Sequence, residues 1–198
     1  MKHVLIAAAL ALVTSPLAAA EKLPLADISA YLNSLQTARS EFTQINGDGS
    51  LSTGTLYIKR PGRARFEYDG KDAPRVIAGQ GSVVIVDPKS NTAPESYPLK
   101  RTPLSIILAE TVDLQRARMV VGHDFDGTAT LVRAQDPKNP DYGSIELSFT
   151  ADPVELRKWV IYDGSGGETT VILGAMQTDL SLSNRLFNTV NGGPVSDR

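Results

Sequence analysis

Few residues of this chain have the type and spacing that chemistry requires. There is no cysteine, which removes a thiolate nucleophile, a disulfide framework, Cys-based metal ligation and lipid attachment at an N-terminal Cys. His123 is the one imidazole left once the first twenty residues are set aside. It stands between Gly122 and Asp124 near an Asp126-Gly127 turn, where exposure is the simplest reading. No Gly-x-Ser-x-Gly elbow accompanies it to seat a nucleophile. Gly164-Ser165-Gly166-Gly167 falls between two strand patterns with no Lys-Ser/Thr after it, so it reads as a turn and not as a phosphate cradle. Asp124, Asp126 and Glu146 lack calcium-loop spacing and read as solvated charge. What remains is Arg60, a permanent cation with a fixed fork of donors. It sits where a regular alternation ends, beside Pro61-Gly62. The sequence therefore argues against an enzyme and calls for no metal and no cofactor.

The elements around Arg60 follow from periodicity. Leu56 and Ile58 before the Pro61-Gly62 turn, and Ala64, Phe66 and Tyr68 after it, alternate with polar residues. The stretch from Gly54 to Tyr68 is thus predicted to be a hairpin with one apolar face, and Lys59, Arg63, Arg65 and Glu67 on the other. Upstream, Leu25, Ile28, Leu32 and Leu35 recur at helical spacing with Asp27 in the first turn. The period changes to two from Ala38 onward. Arg75-Ala78 and Ser82-Asp87 flank Gly79-Gln80-Gly81 as a second hairpin, and Glu95-Leu99 is a short strand. Thr102-Pro103-Leu104 reads as a helix start, Thr as N-cap and Pro at the first helical position, with an apolar body through Leu108. That helix must lie on something apolar, either core or a cover over a cavity. Strands are then predicted over Met119-Phe125, Thr128-Ala134, Ser144-Thr150 with Ile145, Leu147 and Phe149 on one face, Glu155-Tyr162 and Glu168-Met176. The fold class is α+β, with roughly ten sequential antiparallel strands and two or three helices.

Met1-Lys2-His3, the apolar run from Val4 to Leu12 and the Ala-x-Ala ending at Ala20 read as a secretory signal peptide over residues 1–20. This leaves one expected domain over 21–198 and a periplasmic or secreted product. No later stretch is long and apolar enough to span a bilayer. Without Lys2, 19 of the 20 Lys and Arg face 22 Asp and Glu, a net charge near −3. Composition shows no basic field for nucleic acid or anionic lipid.

In this order, the signal peptide, the first helix, Phe42-Thr43-Gln44, Lys59-Arg60-Pro61-Gly62, Val84-Ile85-Val86-Asp87-Pro88 and Thr102-Pro103-Leu104 resemble the periplasmic outer-membrane lipoprotein carrier family, LolA. The resemblance runs from about Leu25 to Phe187. It implies a curved antiparallel sheet forming an incomplete, half-open β-barrel covered by a lid of short α-helices. It also implies a monomeric chaperone that takes acylated lipoproteins from an inner-membrane exporter complex to the outer membrane, or to a receptor there. Carried over onto this chain, Arg60 would latch the lid through carbonyls of Leu32, Ile107 and Leu108. The acyl-chain cavity would be lined by Leu56, Ile58, Phe66, Tyr68, Leu104, Leu147 and Phe149. The chain departs from the family's type members at Ala64 and Phe66, where they carry a bulky aromatic and a Trp; both changes thin the expected lining. Two readings stand beside this one, a carrier of another amphiphile and a fully packed, non-catalytic envelope interaction protein. A cavity would separate both carriers from the packed protein.

Overall fold

Alternating polarity commits most of the chain to a single sheet. In the computed structural model, which describes residues 21–116 and 118–189, helix α1 (Leu25–Ser34) leads into six strands: β1 (Thr37–Ile45), β2 (Leu51–Lys59), β3 (Arg63–Tyr68), β4 (Arg75–Gly79), β5 (Ser82–Val86) and β6 (Glu95–Pro98). A 3₁₀ turn, Leu99–Arg101, and the single-turn helix α2 (Leu104–Ile107) interrupt the pattern. Strands β7 (Val120–Phe125), β8 (Thr130–Gln135), β9 (Ser144–Thr150), β10 (Glu155–Tyr162), β11 (Glu168–Leu173) and β12 (Gln177–Thr178) follow, then a last 3₁₀ turn, Asn184–Phe187. The expected signal peptide lies outside the described residues.

The twelve described strands pair antiparallel in the order β6-β5-β4-β3-β2-β1-β11-β10-β9-β8-β7, with β12 added beside β1. The edge strands β6 and β7 are not paired with each other, so the sheet curls without closing. Register fixes which side chains share a face. Leu56 faces Phe66, Ile58 faces Ala64, and Gly54 faces Tyr68 across the β2–β3 ladder. This places the expected apolar set on the concave side. Ile145, Leu147 and Phe149 join it from β9, fully buried. The apolar stripe of α1, Ile28 and Leu32, and its C-cap Leu35 pack into the same core, and Tyr31 meets Phe149 edge to face at 6.1 Å.

Three details differ from the sequence reading. Pro103, not Thr102, occupies the N-cap of α2, and no side chain caps it. The preceding 3₁₀ turn takes the Thr102 hydroxyl instead, which donates to the Leu99 carbonyl at 2.8 Å. Second, Arg65 belongs by alternation to a solvated face yet is 1% exposed. The C-terminal segment lies across that convex face. Arg65 donates to the Leu186 carbonyl and to Glu67, each at 3.2 Å, and Lys59 Nζ donates to the Leu182 carbonyl at 2.6 Å. Third, His123 is half-buried, its Nε2 2.9 Å from the Leu23 carbonyl. It ties down the arm before α1, which the Leu23 amide also fastens by donating to Thr130 Oγ1 at 2.8 Å.

Candidate functional site: an apolar cavity and its lid

The concave face is only half filled. Where α1 lies across it, Leu56, Ile58, Leu147 and Phe149 are 2% exposed or less and form packed core. Toward the other ends of β2 and β3 only Leu104 of α2 reaches the sheet, and a cavity of about 760 Å³ remains. That volume lies within the ordinary range of ligand sites, roughly 300–1,000 Å³. Of the seven side chains expected to line a cavity, Phe66, Tyr68 and Leu104 do so. The other four are buried in the core that also contains the α1 stripe. Val76, Ile85, Trp159, Ile161 and Val171 complete the apolar wall, and Gln44, Asn46, Thr53, Asp69 and Thr169 form a polar rim.

Aromatic rings stiffen one side of this wall. Phe42 meets Phe66 at 5.5 Å and Tyr68 at 5.2 Å, and Phe66 meets Trp159 at 6.2 Å, all near perpendicular, the arrangement that ring quadrupoles favour. Trp159 is the only Trp of the chain. It answers the departure at Phe66, because the indole absent from that position arrives from the facing wall on β10. Strict alternation obscures it. A β-bulge between Leu156 and Lys158 lets Leu156 and Trp159, three residues apart, both be buried on the core side. Ala64 is packed, 2% exposed, between Ile58 and Ala78. The Tyr68 hydroxyl donates to Gln44 Oε1 at 2.7 Å, and burial pushes its pKa above the usual phenol value although that hydrogen bond opposes the shift.

The β2–β3 turn joins the helical cover to the sheet. Its backbone does much of the joining: the Arg60 amide donates to the Gln36 carbonyl behind α1, and the Gly62 amide to the Leu108 carbonyl behind α2, both at 2.8 Å. Gly62 has φ +71°, a conformation glycine adopts without steric cost. The Arg60 guanidinium adds a contact one residue further on. Its Nε donates to the Ala109 carbonyl at 3.0 Å and Nη2 donates to the same oxygen. The guanidinium thus reaches none of the expected carbonyls of Leu32, Ile107 and Leu108. The Leu108 carbonyl is already engaged by Gly62. Arg60 is 5% exposed, its Nη1 has no partner, and burial lowers its pKa; arginine nonetheless stays charged.

A second tie, absent from the sequence reading, joins α1 to the segment after α2. Asn33 Nδ2 donates to the Val112 carbonyl, and the Val112 amide donates to Asn33 Oδ1, both at 2.8 Å. The Leu114 amide donates to Ser29 Oγ at 3.0 Å. The polar face of α1 therefore holds residues 112–114 as a strand would, and the two pieces of the cover form one body. Asn and Ser at helical spacing hint at such a tie, but the partner, some eighty residues away, cannot be read from them. Among the described residues no group of three or more His, Asp or Glu could hold a metal ion.

Comparisons with known proteins bear on this arrangement. Residues 33–190 match the family described as outer membrane lipoprotein carrier protein LolA. A relative from Methylococcus capsulatus, named outer-membrane lipoprotein carrier protein, is 30% identical over 175 residues, 85% of this chain and 84% of that one. Another of the same name, from Methylobacillus flagellatus, is 23% identical over 172 residues, 82% of each chain. A crystal structure of a domain from Vibrio parahaemolyticus, provisionally described as outer membrane lipoprotein-sorting, shares the fold with a TM-score of 0.50 at 9% identity. The match covers 83% of this chain and 94% of that one.

Proposed function

We propose, since the chain belongs to the outer membrane lipoprotein carrier (LolA) family, that it is a periplasmic, monomeric carrier. It would shelter the acyl chains of lipoproteins received from an inner-membrane exporter complex and deliver them to the outer membrane or a receptor there. The observation that carries this reading is the 760 Å³ apolar cavity left open on the concave face beside α2. A packed scaffold has no use for such a void, because native interiors leave few spaces larger than a water molecule.

Physical chemistry supplies the need and the limit. A lipoprotein with three acyl chains exposes some forty methylenes, each worth about 0.8 kcal/mol on burial, so it does not leave a bilayer unaided. A carrier must match part of that burial and still let go, without covalent chemistry. Arg60 fits the release step. It closes the cover through one neutral carbonyl while carrying a desolvated charge, so the closed state is held by few bonds that can be broken and remade. Cargo beyond the resident cavity would lift α1 and expose Leu56, Ile58, Leu147 and Phe149 to acyl chains. The closed latch therefore opposes the loaded state and assists handover.

Trp159 makes the test direct. A triacylated lipopeptide with bromine on its acyl chains should quench the single indole, and an unbrominated one should not. Fluorescence unaltered at saturating lipopeptide would reject the carrier reading. Quenching by a brominated diacyl phospholipid alone would assign another amphiphile as cargo.

A further inference from the structure

The fold gathers cations that are dispersed along the sequence. The β2–β3 turn lies beside the C-terminal 3₁₀ turn, and Arg63 and Arg185 line one groove of about 610 Å³ with Gln80 and Gly81 of the β4–β5 turn. The Leu99 amide donates to the Gly81 carbonyl at 2.8 Å, which sets the 3₁₀ turn carrying Lys100 and Arg101 against that groove. On its far side Lys100 and Arg101 line a second cavity of about 260 Å³ with Pro103, Ile106 and Tyr142. No carboxylate lines the first groove, and Asp136 alone lines the second.

These side chains make no ion pair among the described residues, although the Arg101 guanidinium lies 5.8 Å from the centre of the Tyr142 ring. Lys100, Arg101 and Arg185 are exposed. Arg63 makes only long contacts, 3.4 Å each, to the Lys59 carbonyl and Asn184 Oδ1. The ion pairs among the described residues involve Arg65, Arg116, Arg133 and Arg157 instead. On a chain whose remaining charge is negative, the result is a local cluster of four basic side chains.

We propose that this face, Arg63, Lys100, Arg101 and Arg185 around the Leu99–Arg101 turn, docks the protein reversibly on an anionic phospholipid bilayer. Two features favour a bilayer over an acidic protein. The cations come from three separate segments with grooves between them, which admits separate headgroups. The turn that carries Lys100 and Arg101 leads directly into α2, whose Leu104 lines the cavity, so docking brings the edge of the cover to the lipid surface. A basic side chain held near an anionic leaflet raises partitioning roughly fivefold. Four of them give weak binding that salt abolishes, which suits a protein that must leave again. The proposal adds a partner to the carrier reading, and its geometry does not depend on what the cavity holds.

The test is sedimentation of the protein without its signal peptide with large unilamellar vesicles at low ionic strength. Vesicles of equal phosphatidylglycerol and phosphatidylcholine should carry the protein down, pure phosphatidylcholine vesicles should not, and added salt should release it. K100Q/R101Q and R63Q/R185Q should each lower partitioning about twenty-fold, whereas K71Q/K89Q, at the opposite ends of β3 and β5 from Arg63 and Gly81, should not. Quenching of Trp159 by brominated lipopeptide should persist in the first two variants, which separates failure of docking from failure of the carrier reading. Equal binding to both vesicle types, or unchanged partitioning of the two basic-face variants, would overturn the proposal. So would wild-type protein that ignores the anionic vesicles but is held salt-sensitively by poly-glutamate, which would assign the face to an acidic protein.

Discussion

A guanidinium buried with one carbonyl for company makes a useful fastening but a poor source of stability. Removing a buried charge can offset the hydrogen bonds lost with it, so Arg60→Leu should change unfolding free energy by no more than about 2 kcal/mol. Its effect should fall on handover: uptake of lipopeptide intact or tighter, transfer to acceptor membranes slowed. Transfer at the wild-type rate would remove Arg60 from the mechanism. The same scale separates core from cavity wall. Leu147→Ala should cost about 2–5 kcal/mol because its packed neighbours cannot collapse fully, and Leu104→Ala, beside an existing void, should cost about 1. Denaturant unfolding measures both, and equal costs would mean the cavity is filled in solution. Phe66, Tyr68 and Leu104 were legible in the sequence as wall residues, since alternation and a lone apolar helix single them out. Trp159 was not, because the bulge before it breaks the period by which an inward side chain is recognised.

Elements show where sequence reasoning stops. Strands and turns follow from local pattern, and nearly all lie within a residue or two of expectation. The ties between elements are pairs of polar groups tens of residues apart, which no local pattern encodes. Asn33 is the clearest instance. Asn33→Ala leaves the Val112 amide and carbonyl without their partner and should destabilise the cover by about 1–3 kcal/mol. Amide exchange should speed up at Val112 and Leu114 together with α1 but not in β9, and uniform acceleration would show that the cover is not a separate body. The turns carry their own chemistry. Asp163 accepts from the Ser165 hydroxyl and amide and from the Gly167 amide, and the Ser165 hydroxyl contributes most to holding its pKa below the usual aspartate value. A carboxylate with a depressed folded pKa stabilises above the unfolded value and loses that contribution as pH falls through the folded one. The Asp163 carboxyl carbon should therefore titrate with a midpoint below 3.8, and the β10–β11 turn should loosen only under stronger acid. A midpoint at or above 3.8 would discard the turn assignment.

At the scale of the molecule, the back of the sheet matters as much as the hollow front. Gly79 lies so close to the C-terminal turn that a Cβ there would stand 2.4 Å from the Phe187 carbonyl oxygen. Gly79→Ala should lift that segment at a cost of about 1–3 kcal/mol, exposing Arg65 and Phe187. Proteolysis near residues 184–189 would report it, and unchanged resistance would show the segment bound by other contacts. The unpaired edges carry a further consequence. A closed barrel has its circumference set by strand number and shear, so widening it means breaking a ladder. Here β6 and β7 face each other only through the stretch that includes α2. The sheet can spread like a spring clip, its girth following the bulk of what it grips while each inter-strand hydrogen bond stays in place.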